Sequence, residues 1–275
     1  MKRHHLLIAA VIICTALISC TFNLNGESFG GETVKGNGNI VTRNYDVTAF
    51  NEISASLPAT VNFTVSDHYT CTVTVDENLF DYLEIKVKDN DLNLRKSNEH
   101  KNVRLDATEF VIEVSAPSVE DINLAGSGTF KALSPLNGKK LDVNVAGSGD
   151  IYFQELVTVD KIELNVAGSG TLVCENLVAE SLDGNIAGSG DLMVRQGAVK
   201  KAEVSVAGSG DIDLACDIDT LEADIAGSGD IVAKVNGTLE YNIIGSGDIS
   251  YYGDAEAKGQ KMGSGSVTRI NASKR

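Results

Sequence analysis

Glu203-Val204-Ser205-Val206-Ala207-Gly208-Ser209-Gly210-Asp211-Ile212 is one copy of a pattern that recurs through the second half of this 275-residue chain. Its centre, Gly-Ser-Gly, starts at Gly126, Gly147, Gly168, Gly188, Gly208, Gly227, Gly245 and Gly263, at steps of 21, 21, 20, 20, 19, 18 and 18 residues. A near-constant period around a constant centre marks one structural unit stacked on itself.

Aligned on the first glycine, the residues two places earlier are Leu124, Val145, Val166, Ile186, Val206, Ile225 and Ile243. Three places earlier stand Asn123, Asn144, Asn165, Asn185, Ser205, Asp224 and Asn242, and five places earlier Asp121, Asp142, Glu163, Asp183, Glu203, Glu222 and Glu240. Apolar and polar positions alternate, which is the period of a strand with one face turned inward. A second limb follows the tripeptide, with the apolar series Phe130, Ile151, Leu172, Leu192, Ile212, Ile231, Ile249 and Val267. A more variable return, such as Leu156-Val157-Thr158-Val159, completes the unit.

About 20 residues are too few for a β-α-β unit, which takes roughly 30. The pattern predicts an all-β fold, a parallel β-helix (solenoid) of 18–21 residues per coil, and the rule for parallel crossovers favours a right-handed one. Eight coils at about 4.8 Å would extend roughly 38 Å.

The glycine pairs are read as structural corners: Gly126 and Gly128, Gly147 and Gly149, Gly168 and Gly170, Gly188 and Gly190, Gly208 and Gly210, Gly227 and Gly229, Gly245 and Gly247, Gly263 and Gly265. A sharp corner needs positive φ or close backbone approach, and glycine allows both. The next residue is Thr129, Asp150, Thr171, Asp191, Asp211, Asp230, Asp248 or Ser266. All carry a short side-chain oxygen able to accept from a backbone N–H. Stacked Gly-x-Gly-x-Asp repeats bind calcium in one kind of β-roll. Here the period is about twice as long, the charge is absent where Thr or Ser stands, and the Gly-Gly pair is missing. Corner hydrogen bonding is therefore the preferred reading, and neither metal nor cofactor is expected. The acidic series reads as a solvated face, relieved by Lys140, Lys161 and Lys201 two residues before their acids; a site for cations or a basic partner is the functional alternative.

The chain begins with Lys2 and Arg3, an apolar run from Leu6 to Ile18, and Leu17-Ile18-Ser19-Cys20. This arrangement predicts a lipoprotein signal peptide over 1–19 and a lipid on Cys20, which would anchor the protein to a membrane. Residues 20–32 read as a flexible tether, 33–120 as irregular β coils of the same solenoid, 121–270 as the regular β-helix and 271–275 as a tail. Without residues 1–19 the chain carries 21 basic and 38 acidic residues, a net charge of −17. That surface repels nucleic acid. Cys71, Cys174 and Cys216, an odd number, read as small buried hydrophobes rather than a disulfide framework.

Three features together resemble a known family: Gly36-Asn37-Gly38-Asn39-Ile40, which reads as a degenerate corner; the strand pair leading to Val75-Asp76-Glu77-Asn78-Leu79; and the repeated Ala-Gly-Ser-Gly-Asp corners. They are similar to the head GIN domain family of auto-transporter adhesins, over roughly residues 36–270. The resemblance implies a β-helical fold and an envelope location, and it supplies no catalytic residues to carry over.

Chemistry is sparse in the sequence itself. His68 and His100 stand alone in separate stretches, and the serines recur as corner residues, whereas a catalytic site is singular. Some β-helices are polysaccharide-active enzymes with grooves built by long loops, but no long insertion interrupts this array and the chain has no Trp. The expected function is a non-catalytic, adhesin-like binding module of an outer-membrane lipoprotein, with an extracellular glycan or protein as ligand. The alternative is a structural or sensing lipoprotein facing the periplasm. Cys20-Thr21-Phe22-Asn23-Leu24-Asn25 lacks the acidic run that sends many such lipoproteins to the surface.

Overall fold

The structure, a computed structural model, describes residues 32–270. The expected signal peptide, Cys20, most of the expected tether and the expected tail fall outside the described residues.

The chain winds as a parallel β-solenoid of about seven turns. The strand segments before each Gly-Ser-Gly stack into one sheet, here face A. Those after it stack into face B, and the returns into face C. Pairing is in register from corner to corner: Gly126, Gly147, Gly168, Gly188, Gly208, Gly227, Gly245 and Gly263 form one unbroken column. Strands Asp150–Gly168 and Thr171–Gly188 each run from one corner to the next without a break. The bends beside the return are taken up within the strands, with a local register shift between Phe153 and Leu156, and so need no glycine signature.

The apolar series of face B is continuous in space and gains Val61 at its upper end. From Val61 to Ile249 each of its members is at most 1% exposed. Truncating one such Ile or Leu to Ala costs about 2–5 kcal/mol. Phe63 and Phe130 stack within this core, with ring centroids 6.3 Å apart. Cys71, Cys174 and Cys216 are free and buried. Burial pushes each thiol up to about 12, so none is a ready nucleophile. Two coils beyond Cys174 the register brings Leu214, not Cys216, into its column.

The N-terminal region joins this stack and then closes it. Strands Glu52–Ala55 and Thr60–Val65 pair in parallel with the first regular coil, continuing faces A and B. Beyond them the pairing changes: Ile40–Tyr45 with Thr70–Asp76, Thr70–Asp76 with Phe110–Ala116, and Leu83–Lys88 with Asp91–Lys96 are all antiparallel. The last pair turns through Asp89 and Asn90, both at positive φ, the conformation a two-residue hairpin needs. Antiparallel strands and the 3-10 turn Glu77–Tyr82, with buried Leu79 and Phe80, cover the end of the core. A solenoid requires such a cover.

Gly36–Ile40 is not a corner of a coil. It folds over Asp76, the one charged side chain buried to 0% exposure among the described residues. The Asp76 carboxylate accepts from the Gly38 N–H (2.7 Å), the Thr108 N–H (2.7 Å) and the Thr108 hydroxyl (2.9 Å). Burial pushes its pKa up, but these donors outweigh that and hold it below the ordinary carboxylate range. Asn78 extends the clamp, accepting from the Asn37 N–H and donating to the Lys35 carbonyl. The two motifs, Gly-Asn-Gly-Asn and Asp-Glu-Asn, are the two halves of one clamp.

At the other end, strand Glu256–Gly263 is paired on one side only among the described residues. It places Lys261 opposite the buried Ile243, and the Lys261 ammonium donates to the Gly265 carbonyl at 3.3 Å. A lysine at an inward position discourages edge-to-edge pairing.

Candidate functional site

Face A turns its polar positions outward, and parallel register converts each series into a column. The acidic column runs Asp91, Glu52, Asp121, Asp142, Glu163, Asp183, Glu203, Glu222 and Glu240, and ends at Lys258. It exceeds the series read from the repeat by Glu52 and Asp91. Glu52-Ile53-Ser54-Ala55 and Asp91-Leu92-Asn93-Leu94 carry the same acid-apolar-polar-apolar spacing as Asp121-Ile122-Asn123-Leu124, so the signal was present without the glycines.

Like charges on adjacent strands repel. Burial, then Asp121 and Asp91, push the Glu52 carboxyl up. Burial, then Asp142, raise Asp121 against the opposing pull of Lys140. Burial and Glu222 raise Asp224 in the neighbouring column. Lysines relieve the repulsion along their own strands, Lys140 with Asp142, Lys201 with Glu203 and Lys161 with Glu163 (3.7 Å), and Lys161 also reaches diagonally to Asp183 (3.3 Å).

Beside the acids runs an amide ladder. Asn144 donates to Asn123, Asn165 to Asn144 and Asn185 to Asn165, each at 3.0 Å, and the Ser205 hydroxyl donates to Asn185 at 2.6 Å. An amide can donate upward and accept downward, so one residue type repeats indefinitely. A third column, Ala125, Ala146, Ala167, Ala187, Ala207 and Ala226, keeps the face flat and ends in the larger Ile244 and Met262.

From the second corner on, each serine N–H donates to the carbonyl of the first glycine one coil back, as Ser189 does to Gly168 at 2.8 Å. At four corners the residue after the tripeptide links coils through its side chain. Asp150 accepts from the Thr171 N–H, Asp211 from Asp230, Asp230 from Asp248, and Asp248 from Ser266, at 2.7–3.0 Å. These carboxylates thus serve backbone donors. Among the described residues no group of three or more His, Cys, Asp or Glu is arranged to hold a metal ion. His68 is exposed. His100 contacts the Ser97 hydroxyl at 2.9 Å and packs against the Tyr82 ring.

The arrangement defines a β-solenoid whose polar chemistry lies on regular outer columns. The chain belongs to the family described as "Putative auto-transporter adhesin, head GIN domain", whose model matches residues 49–158 and 153–255. Similar solved structures agree. A putative lipid binding protein from Parabacteroides distasonis is 33% identical over 87% of this chain and 100% of its own, with a TM-score of 0.84. A putative adhesin from the same organism is 29% identical over 87% of this chain and 100% of its own (TM-score 0.82). Another from Parabacteroides merdae is 27% identical over the same shares (TM-score 0.81). No curated protein matches the chain. No helix among the described residues is long and apolar enough to cross a membrane.

Proposed function

We propose that this protein is a non-catalytic binding module of the cell envelope, held to the outer membrane by a lipid on Cys20, with an extracellular glycan or protein as its ligand. The observation that carries the reading is the contrast between interior and surface. The interior is an apolar core with inert thiols, while face A repeats an acid, a polar residue (most often Asn) and an alanine in register through the regular coils. A rigid, repetitive surface suits recognition of an extended partner. The similar adhesins support it, as does the adhesin family itself.

Protease shaving of intact cells tests the placement. Loss of the protein from shaved cells is expected, and retention until the cells are lysed would favour a periplasmic structural role. Cys20→Ala should abolish incorporation of labelled fatty acid and release the protein from the membrane fraction. Labelling that survives this substitution would overturn the anchor.

A further inference from the structure

Where the closing region meets the first corners, Leu105–Phe110 stands beside Pro58–Thr60 and Ser127–Thr129 and encloses an open cleft of about 310 Å³. That volume lies at the lower end of the usual range for small-ligand clefts, about 300–1,000 Å³. Besides Thr108, five polar side chains line it: the carboxylates of Asp106 and Glu109 and the hydroxyls of Thr60, Ser127 and Thr129. None of the five makes a side-chain hydrogen bond or ion pair among the described residues. Further along the corner column most of the corresponding oxygens are engaged, as Asp150 is by Thr171 and Asp248 by Ser266, with the Thr171 hydroxyl and the Asp191 carboxylate as exceptions.

The wall that bears Asp106 and Glu109 is firmly held. Thr108, between them, gives both its N–H and its hydroxyl to buried Asp76. The Asp106 carbonyl accepts from Gly36 at 2.8 Å, and Arg104–Asp106 pairs with Thr33–Lys35. Covering the core needs only apolar side chains. Here a buried charge and a strap of backbone are spent on fixing a segment whose Asp106 and Glu109 carboxylates face solvent unpaired. Polar groups left free for a ligand on a supported wall are the usual construction of a recognition site.

We propose that this cleft binds a saccharide, neutral or amino-substituted, and so supplies a ligand class for the binding-module reading on which this proposal rests. Carboxylate oxygens accept from adjacent sugar hydroxyls, the Thr and Ser hydroxyls both donate and accept, and Pro58 and Ala107 offer small apolar surface to the C–H face of a ring. Two unpaired carboxylates on a strongly acidic protein disfavour sialylated or uronic sugars.

The test passes the full-length lipoprotein in detergent over immobilised neutral, amino and sialylated oligosaccharides, and in parallel over matrix proteins and intact host cells. Retention on neutral or amino sugars is expected. It should weaken at least tenfold in Asp106→Asn/Glu109→Gln and in Thr60→Val/Thr129→Val, and persist in the control Glu155→Gln/Glu175→Gln. The carboxylate variants lie on exposed side chains, so an unchanged melting temperature verifies their fold. Retention on proteins or cells but on no sugar would overturn the cleft and leave the binding module standing. So would sugar retention indifferent to the cleft variants, or preference for sialylated sugars. Retention on none of the surfaces would overturn both.

Discussion

The two glycines that bracket each corner serine are required for different reasons. Gly188 sits at φ +130°, and a Cβ there would stand 2.4 Å from the Gly168 carbonyl oxygen one coil back. Gly190 shows no such φ, yet its Cβ would meet the Gly170 oxygen at 2.4 Å and the inward Val166 side chain at 2.6 Å. Gly126, at the first corner, has φ +91° but nothing within 4 Å of its Cβ position. The three positions separate backbone conformation from stacking. Gly126→Ala should cost about 1 kcal/mol, the penalty for positive φ alone. Gly188→Ala and Gly190→Ala should each cost about 2–4 kcal/mol, since neighbouring coils must part. Urea denaturation of the three variants checks the order, and equal costs would show that stacking is not what the glycines protect. The sequence made the corner legible because its glycines repeat. The clamp at Asp76 is not legible, although both its halves stand out in the sequence. A hydrogen-bonded pair separated by 38 residues leaves no periodic trace, and Gly36–Ile40 looked like a corner because glycine also serves wherever backbone must close over a side chain.

At the scale of a face, the acidic column sets repulsion against the ladder that holds it in register. Asp121 illustrates the sign. Its folded pKa stands above its unfolded value, so folding favours the protonated form. That contribution is fully present below the unfolded value, about 3.9, and is lost as pH rises through the folded one. At neutral pH the charged ladder is therefore a cost. Asp76 works in the opposite sense: its folded pKa is depressed, so its stabilisation is present above the unfolded value and lost as pH falls through the folded one. Asp121→Asn removes one rung of charge and should stabilise the protein by about 0.2–1 kcal/mol at pH 7. The gain should shrink towards nothing near pH 3.5. Denaturant curves for this variant and the parent at both pH values check it, and an equal gain at both would mean that charge is not the cause. The sequence displayed this column from Asp121 to Glu240 because alternation within a strand is visible in one dimension. The added rungs at Glu52 and Asp91, and the order Asp91 before Glu52, needed the topology. The hairpin Leu83–Lys96 sets Asp91 above Glu52, out of chain order.

For the whole molecule the coil is the unit of assembly, and contacts between elements fall mainly on coils that are adjacent in the stack. Such a body should behave as a one-dimensional array, with stability close to a sum over coils and their interfaces. Excising residues 189–208 tests this, because it joins Gly188 to Ser209 and regenerates Ala-Gly-Ser-Gly-Asp at the junction. The face A segment ending at Gly227 would then stack on the one ending at Gly188, with Glu222 over Asp183, Asp224 over Asn185 and Ile225 over Ile186. All three columns keep their character, and the interior meets aliphatic with aliphatic. The shortened protein should fold, keep its strand signal per residue in circular dichroism, and melt cooperatively a few degrees below the parent. Removing only 199–208 deletes half a coil. It leaves the face B segment Asp191–Val194 in place but takes away the face A segment that leads to the next corner. The remaining chain cannot carry the array across the gap in register, so this variant should aggregate or fail to melt cooperatively. If the half-coil deletion tolerated the loss as well as the full coil did, stability would not reside in the in-register stack, and the coil would be a description of the sequence rather than the unit that folds.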